Sequence, residues 1–132
     1  MLEFENLMLI NMEQAKRCLA SARLLLADDD FLGATNRLYY CVFYCTRALL
    51  SNDNVDFKKH SGVISYFRRE YIKTGKLNTQ LSEIIGDLFD DRMGSDYDTA
   101  YFTDRETIES DIERAEYFFE EINRFLANAG KI

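Results

Sequence analysis

Residues Asn36–Leu50 read NRLYYCVFYCTRALL, an apolar run interrupted by a regular set of arginines and tyrosines. At about 100° per residue, Leu38, Val42, Cys45 and Leu49 gather with Phe31 on one side, with Ala34, Cys41 and Ala48 beside them. Tyr39, Phe43 and Leu50 make a second apolar side, and Arg37, Tyr40, Tyr44 and Arg47 fall in a narrow sector between the two. A helix apolar over most of its circumference belongs at the centre of a bundle. Its Arg/Tyr stripe must then face a partner, a cleft or a second subunit.

The flanking segments supply the rest of such a bundle. Over about residues 2–27, Met8, Met12, Ala15, Leu19, Ala22 and Leu26 alternate at spacings of four and three, an amphipathic helix. Asp28-Asp29-Asp30 is a short acidic turn, and the central helix is expected over about 31–51, followed by a loop rich in Asn and Asp to Lys58. A third helix opens near His60-Ser61-Gly62 with Ser61 as its N-cap, turns Val63, Ile64, Phe67 and Tyr71 inward, and ends at Thr74-Gly75-Lys76. The fourth, about 77–92, carries Leu81, Ile84, Ile85, Leu88 and Phe89 and gives way to a loop at Met93-Gly94-Ser95-Asp96-Tyr97-Asp98. The fifth opens at Thr103, with Glu106 at the spacing of a capping box, and buries Ile108, Ile112, Ala115, Phe119, Ile122 and Leu126. The first two helices have the look of one tetratricopeptide unit, but no second copy follows at the period of about 34 residues.

Composition agrees. With 132 residues, no proline and six glycines, the chain suits one all-α domain spanning residues 1–132, an antiparallel up-and-down bundle of four to five helices. A net charge of -7 argues against a surface that coats nucleic acid generally, because such binding rests on Lys and Arg neutralising phosphates, and leaves only a local basic site. Cys18, Cys41 and Cys45 have no neighbouring histidine to complete a metal set and read as small apolar packing groups, so no metal or cofactor is expected. No signal peptide is evident and no apolar run approaches the roughly 20 residues of a membrane span, which suits a cytoplasmic protein with no membrane partner.

Polar groups stand at three places where a simple bundle does not need them. Along the stripe, arginine forks suit phosphate or carboxylate and tyrosines can stack a base, although pairing of these arginines with acids of a neighbouring helix or subunit would serve as well. His60, the single histidine, precedes Ser61 at a helix start beside Lys58 and Lys59, a setting that suits an anion or a plain cap. Arg92 stands four residues short of Asp96 and five short of Tyr97, either as a third polar site or as an ordinary helix stop. No Ser/His/Asp set, glycine-rich phosphate loop or paired carboxylates can be assembled.

Taken in order, Asn36-Arg37-Leu38-Tyr39-Tyr40 with Phe43 and Arg47-Ala48-Leu49-Leu50, then His60-Ser61-Gly62-Val63-Ile64-Ser65-Tyr66-Phe67 with Lys73-Thr74-Gly75, then Arg92 with Asp96-Tyr97, resemble the HEPN family in its small single-domain prokaryotic branch. The resemblance covers nearly the whole chain. It implies a bundle of four or five helices, often a homodimer, with the arginine motif near a cleft between subunits. It implies a toxin or defence effector that cuts RNA without a metal, or a non-catalytic member, frequently encoded beside a minimal nucleotidyltransferase that acts as antitoxin. The family's catalytic form follows its arginine after four to six residues with a histidine. Here Tyr97 stands five residues after Arg92, no histidine follows, and Tyr44 stands where relatives commonly carry one. Tyrosine, with a pKa of about 10, is no ready base at neutral pH.

The expected function is therefore a dimeric module of a toxin-antitoxin or related stress system that binds a nucleotide, RNA or a nucleotidyltransferase partner. Arg37, Tyr40, Tyr44, Arg47, His60, Ser61 and Asp96 are its candidate ligand-binding residues. The alternative is a metal-independent ribonuclease with a degenerate motif, in which Arg92, Tyr97 and His60 are the candidate catalytic residues.

Overall fold

The computed structural model describes residues 2–97 and 102–132, with side chains described over 6–94 and 102–132. Among the described residues five α-helices follow one another: α1 (Leu2–Ala27), α2 (Phe31–Asn52), α3 (His60–Phe67), α4 (Thr79–Tyr97) and α5 (Arg105–Asn128), with a π-helical turn, Arg68–Ile72, extending α3. The fold is all-α, with no strand among the described residues. None of the described helices is long and apolar enough to cross a membrane.

The central place expected for α2 is the one it takes, for it packs against α1, α3, α4 and α5 alike. Its start is fixed by Asp30, whose carboxylate accepts a hydrogen bond from the Gly33 N–H at 2.9 Å. Leu38, Val42, Cys45 and Leu49 are buried, and so are Tyr39, Phe43 and Leu50 on the second apolar side. Both sides are thus covered within one chain, and α2 by itself creates no need for a second subunit. The three cysteines are buried and unbridged. On α1, Met8, Met12, Ala15, Leu19 and Ala22 are buried as their spacing predicts, whereas Leu26 is half-buried near the turn. That turn is held to the start of α5 by an ion pair between Asp29 and Arg105.

Four local expectations need correction. Ser61 is not the cap of α3: the helix begins one residue earlier, Lys59 holds the N-cap position without a side-chain bond, and Ser61 lies exposed in the first turn. His60, the first residue of the helix, has its ring stacked on Phe43 of α2. Beyond Phe67 the chain winds into the π-helical turn, and the run ends where Gly75 takes a positive φ of 80°, a conformation that costs a residue with a Cβ. Arg92 does not close α4, and Met93 to Tyr97 is not loop but helix. The apolar pattern stops there while nothing breaks the backbone, since a single glycine costs a helix only about 1 kcal/mol.

On α5 the cap is Asp104, not Thr103: its carboxylate accepts from the Thr107 N–H at 2.8 Å, while the Thr103 hydroxyl is buried with no partner among the described residues. Finally Phe118, rather than Phe119, is the fully buried aromatic of α5, its ring 5.8 Å from Phe67. Replacing Asp104 by Ala is expected to lower the thermal unfolding midpoint by a few degrees, and Thr103→Ala to lower it far less, as followed by circular dichroism.

Candidate functional site

Tyr40 is the hub of the polar residues on α2. The Arg37 guanidinium lies 5.1 Å from the centre of its ring and the Arg92 guanidinium, reaching across from α4, lies 5.3 Å from it. The His60 ring meets it edge-on at 5.9 Å, and Tyr44, one turn on, at 6.0 Å. Arg37, Tyr40, Tyr44, His60 and Arg92, which come from three helices and lie up to 55 residues apart in the chain, are therefore brought to one place. Both arginines are half-buried. Cations against an aromatic face gain electrostatic attraction from the ring quadrupole, and more so when partly desolvated.

Each member is held by a neighbour. The Asn36 side-chain oxygen accepts from Nε and Nη2 of Arg37 at 3.1 and 2.7 Å, and Cys18 Sγ accepts from Nη1 at 3.7 Å. Arg92 also lies 5.5 Å from the centre of the Tyr39 ring. His60 is stacked on Phe43 at 4.0 Å with the rings 26° apart, and its Nδ1 shares a hydrogen bond of 2.8 Å with the Tyr39 hydroxyl.

The two titratable rings are both kept neutral. Burial pushes the Tyr39 phenol far above its ordinary value, with Arg92 opposing. Burial lowers the His60 imidazole below 6.5, and the Arg92 and Arg47 charges lower it further. At neutral pH the imidazole is thus uncharged. Either tautomer satisfies the shared bond. With Tyr39 donating, Nε2 carries the ring proton; with Nδ1–H donating, Nε2 is a lone pair able to accept one.

Arg47 forms an ion pair with Asp56 at 3.1 Å, the acidic pairing that the sequence left open for the stripe. Ser61 is exposed beside His60. Asp96 and Tyr97 lie in the last turn of α4, and their side chains are outside the described residues. Tyr39, Phe43 and Phe89 were missed as site residues because each reads as core. One signal was present in Tyr39: a buried phenol needs a hydrogen-bonding partner.

α4 also carries a charged contact on its other flank. Arg114 of α5 reaches Asp87 at 2.7 Å and the buried Asp111 at 3.4 Å. Asp91, half-buried and adjacent to Arg92, is pushed up to about 6, mostly by burial and then by the Asp111 and Asp87 charges, against the pull of Arg114.

An all-α bundle whose central helix bears a cationic and aromatic patch is the class defined by this geometry. The chain belongs to the HEPN domain family, whose model matches residues 8–125. It is 37% identical over 113 residues to a protein of Thermotoga maritima named "UPF0332 protein", with 86% of each chain covered. Two proteins of Methanocaldococcus jannaschii, each named "Putative toxin", are similar too: one is 36% identical over 90% of this chain and 76% of its own, the other 33% over 86% and 84%.

The raised pKa of Asp91 has a definite sign. The unfolded chain ionises this carboxyl near 3.8 and the folded chain near 6, so stability falls as pH rises between those values, and the cost persists above them. Asp91→Asn is expected to raise the unfolding midpoint by roughly 2–4 °C at pH 8 and to change it little at pH 4, which thermal scans at the two pH values will show.

Proposed function

We propose that this chain is the toxin-like half of a toxin-antitoxin pair and that it binds single-stranded RNA through Arg37, Tyr40, His60 and Arg92. The observation that carries this is the pair of guanidinium groups held against one tyrosine ring with a neutral imidazole at its edge. Guanidinium forks take phosphate oxygens, and Tyr44, half-buried one turn further along α2, can stack a base. A cationic patch on a chain of net charge -7 suits a contact with a few phosphates rather than a long track. The toxin element draws on the two similar Methanocaldococcus jannaschii proteins and their name.

In this reading the module acts in the cytoplasm as a homodimer, restrained by a minimal nucleotidyltransferase encoded beside it. Leu9, Ile10 and Leu24, exposed on one side of α1, offer apolar surface for a second copy.

A second reading, metal-independent ribonuclease, draws on one observation: His60 lies against the same tyrosine ring as Arg92, so α3 brings an imidazole to the arginine that the sequence after it lacks. In the tautomer whose Nε2 is a lone pair, a neutral His60 would take the proton of an attacking 2′-hydroxyl while Arg92 stabilises the charge building on phosphate.

One titration and one incubation test both readings. Fluorescence anisotropy with single-stranded RNA is expected to show affinity falling with salt, at a log–log slope of about -1.4 for two phosphates. Arg37→Ala and Arg92→Ala should each weaken binding roughly tenfold. No binding, or binding indifferent to both substitutions, would refute the first reading. RNA incubated with the protein in chelator is expected to stay intact. Cleavage lost in both Arg92→Ala and His60→Ala would favour the second reading instead.

A further inference from the structure

A groove of about 330 Å³ runs between α3 and α4 and adjoins the arginine patch. The two share a wall: Phe89, which lines the groove, also packs edge-on against Tyr39 at 5.6 Å, and Ser61 at the groove's mouth is the residue after His60. The polar groups turned toward the groove are Ser61, Ser65, Arg68 and Asp90. Past Arg68 and Gly86 it opens into a second hollow of about 430 Å³, where Glu83 and Asp87 add negative charge.

Arg68 is placed with some care. It begins the π-helical turn, a distortion that often accompanies functional sites. Its Nε donates to the Ser82 hydroxyl at 2.9 Å and its Nη2 to the Ser82 carbonyl at 3.2 Å. A Cβ at residue 86 would stand 2.8 Å from Nη2, so the glycine there leaves room for the guanidinium in this position.

Charge decides what fits. One arginine beside Asp90 and Glu83, with Asp87 already paired to Arg114, makes a poor phosphate site, since an anion would meet carboxylates as well as the guanidinium. A flat, neutral group with an apolar face and a mixed edge of donors and acceptors suits it better. Among nucleobases, guanine alone offers adjacent acceptors, O6 and N7, for an arginine and adjacent donors, N1–H and the 2-amino group, for a carboxylate.

We infer that the α3–α4 groove is a base subsite that selects guanine, with Arg68 donating to its O6/N7 edge and Asp90 accepting from its N1–H and 2-amino groups. This rests on the RNA-binding reading above, because it is the phosphate of the same strand, held at Arg92, that would deliver the base.

The test uses three fluorescein-labelled RNAs of eight nucleotides: oligo(A), the same strand with one central guanosine, and the same strand with inosine there, which lacks the 2-amino group. Anisotropy is expected to give about tenfold tighter binding of the guanosine strand than of oligo(A), within the range of a good bidentate contact, with inosine in between. Asp90→Asn should bring the ratio close to one. Arg68→Ala, which removes the donor to the O6/N7 edge and leaves Asp90 in place, should reduce it as well, with circular dichroism confirming that both variants fold. Equal affinity for all three strands, still weakened by Arg92→Ala, would overturn the guanine subsite while leaving the patch standing. Failure of every strand to bind would overturn both.

Discussion

The burial of α2 on nearly every side is the constraint from which the rest of the structure follows. Its two apolar sides can be satisfied only if α1, α3, α4 and α5 all close around it. Residues that α2 turns toward the gaps between those helices are then placed by the packing, whatever their chemistry. Arg37, Tyr40 and Tyr44 stand in such a gap. Closing α3 and α4 around the same helix brings His60 and Arg92 to them from either side. The site is in this sense a by-product of the core: Tyr39 is fully buried, yet it carries the hydroxyl that orients the imidazole and part of the ring surface that supports Arg92.

Electrostatics gives that gap its character. Burial, and after it the charges of Arg92 and Arg47, lower the proton affinity of the His60 imidazole. The two arginines put positive charge together on a chain of net charge -7. Long-range attraction to a polyanion is weak under those conditions, so recognition has to come from short contacts: guanidinium to phosphate, tyrosine to base, and the groove beyond Phe89. Such contacts favour a defined segment of strand over nucleic acid in general. On the far flank of α4, burial and then the Asp111 and Asp87 charges hold the Asp91 carboxyl above its ordinary value, with Arg114 opposing.

Most of this architecture was legible in the sequence because it is written in periodicity. The buried set of α1, α2 and α4 follows the helical spacing of Met, Leu, Ile and Ala almost residue by residue. Termini were less legible. Thr103 and Asp104 are both good caps, and which one serves depends on where α5 meets the α1–α2 turn through Arg105 and Asp29, a tertiary fact. The last turn of α4 was hidden because its residues have no apolar face to announce it. The polar members of the patch could be picked out as residues that a bundle does not require, and the resemblance to the HEPN family supplied their order. What periodicity could not reveal is the layer beneath them. Tyr39, Phe43 and Phe89 look like core and are core, and their second role depends on which ring of another helix lands on each.

The account depends above all on Arg92 and His60 being neighbours in one electrostatic unit, and the single histidine of this chain makes that measurable. The imidazole resonances can be followed by NMR from pH 4.5 to 9, in the wild type and in Arg92→Ala. The account predicts one titration with a midpoint below 6.5 that moves upward when the Arg92 charge is removed. A midpoint at or above 6.5, unmoved by Arg92→Ala, would contradict it.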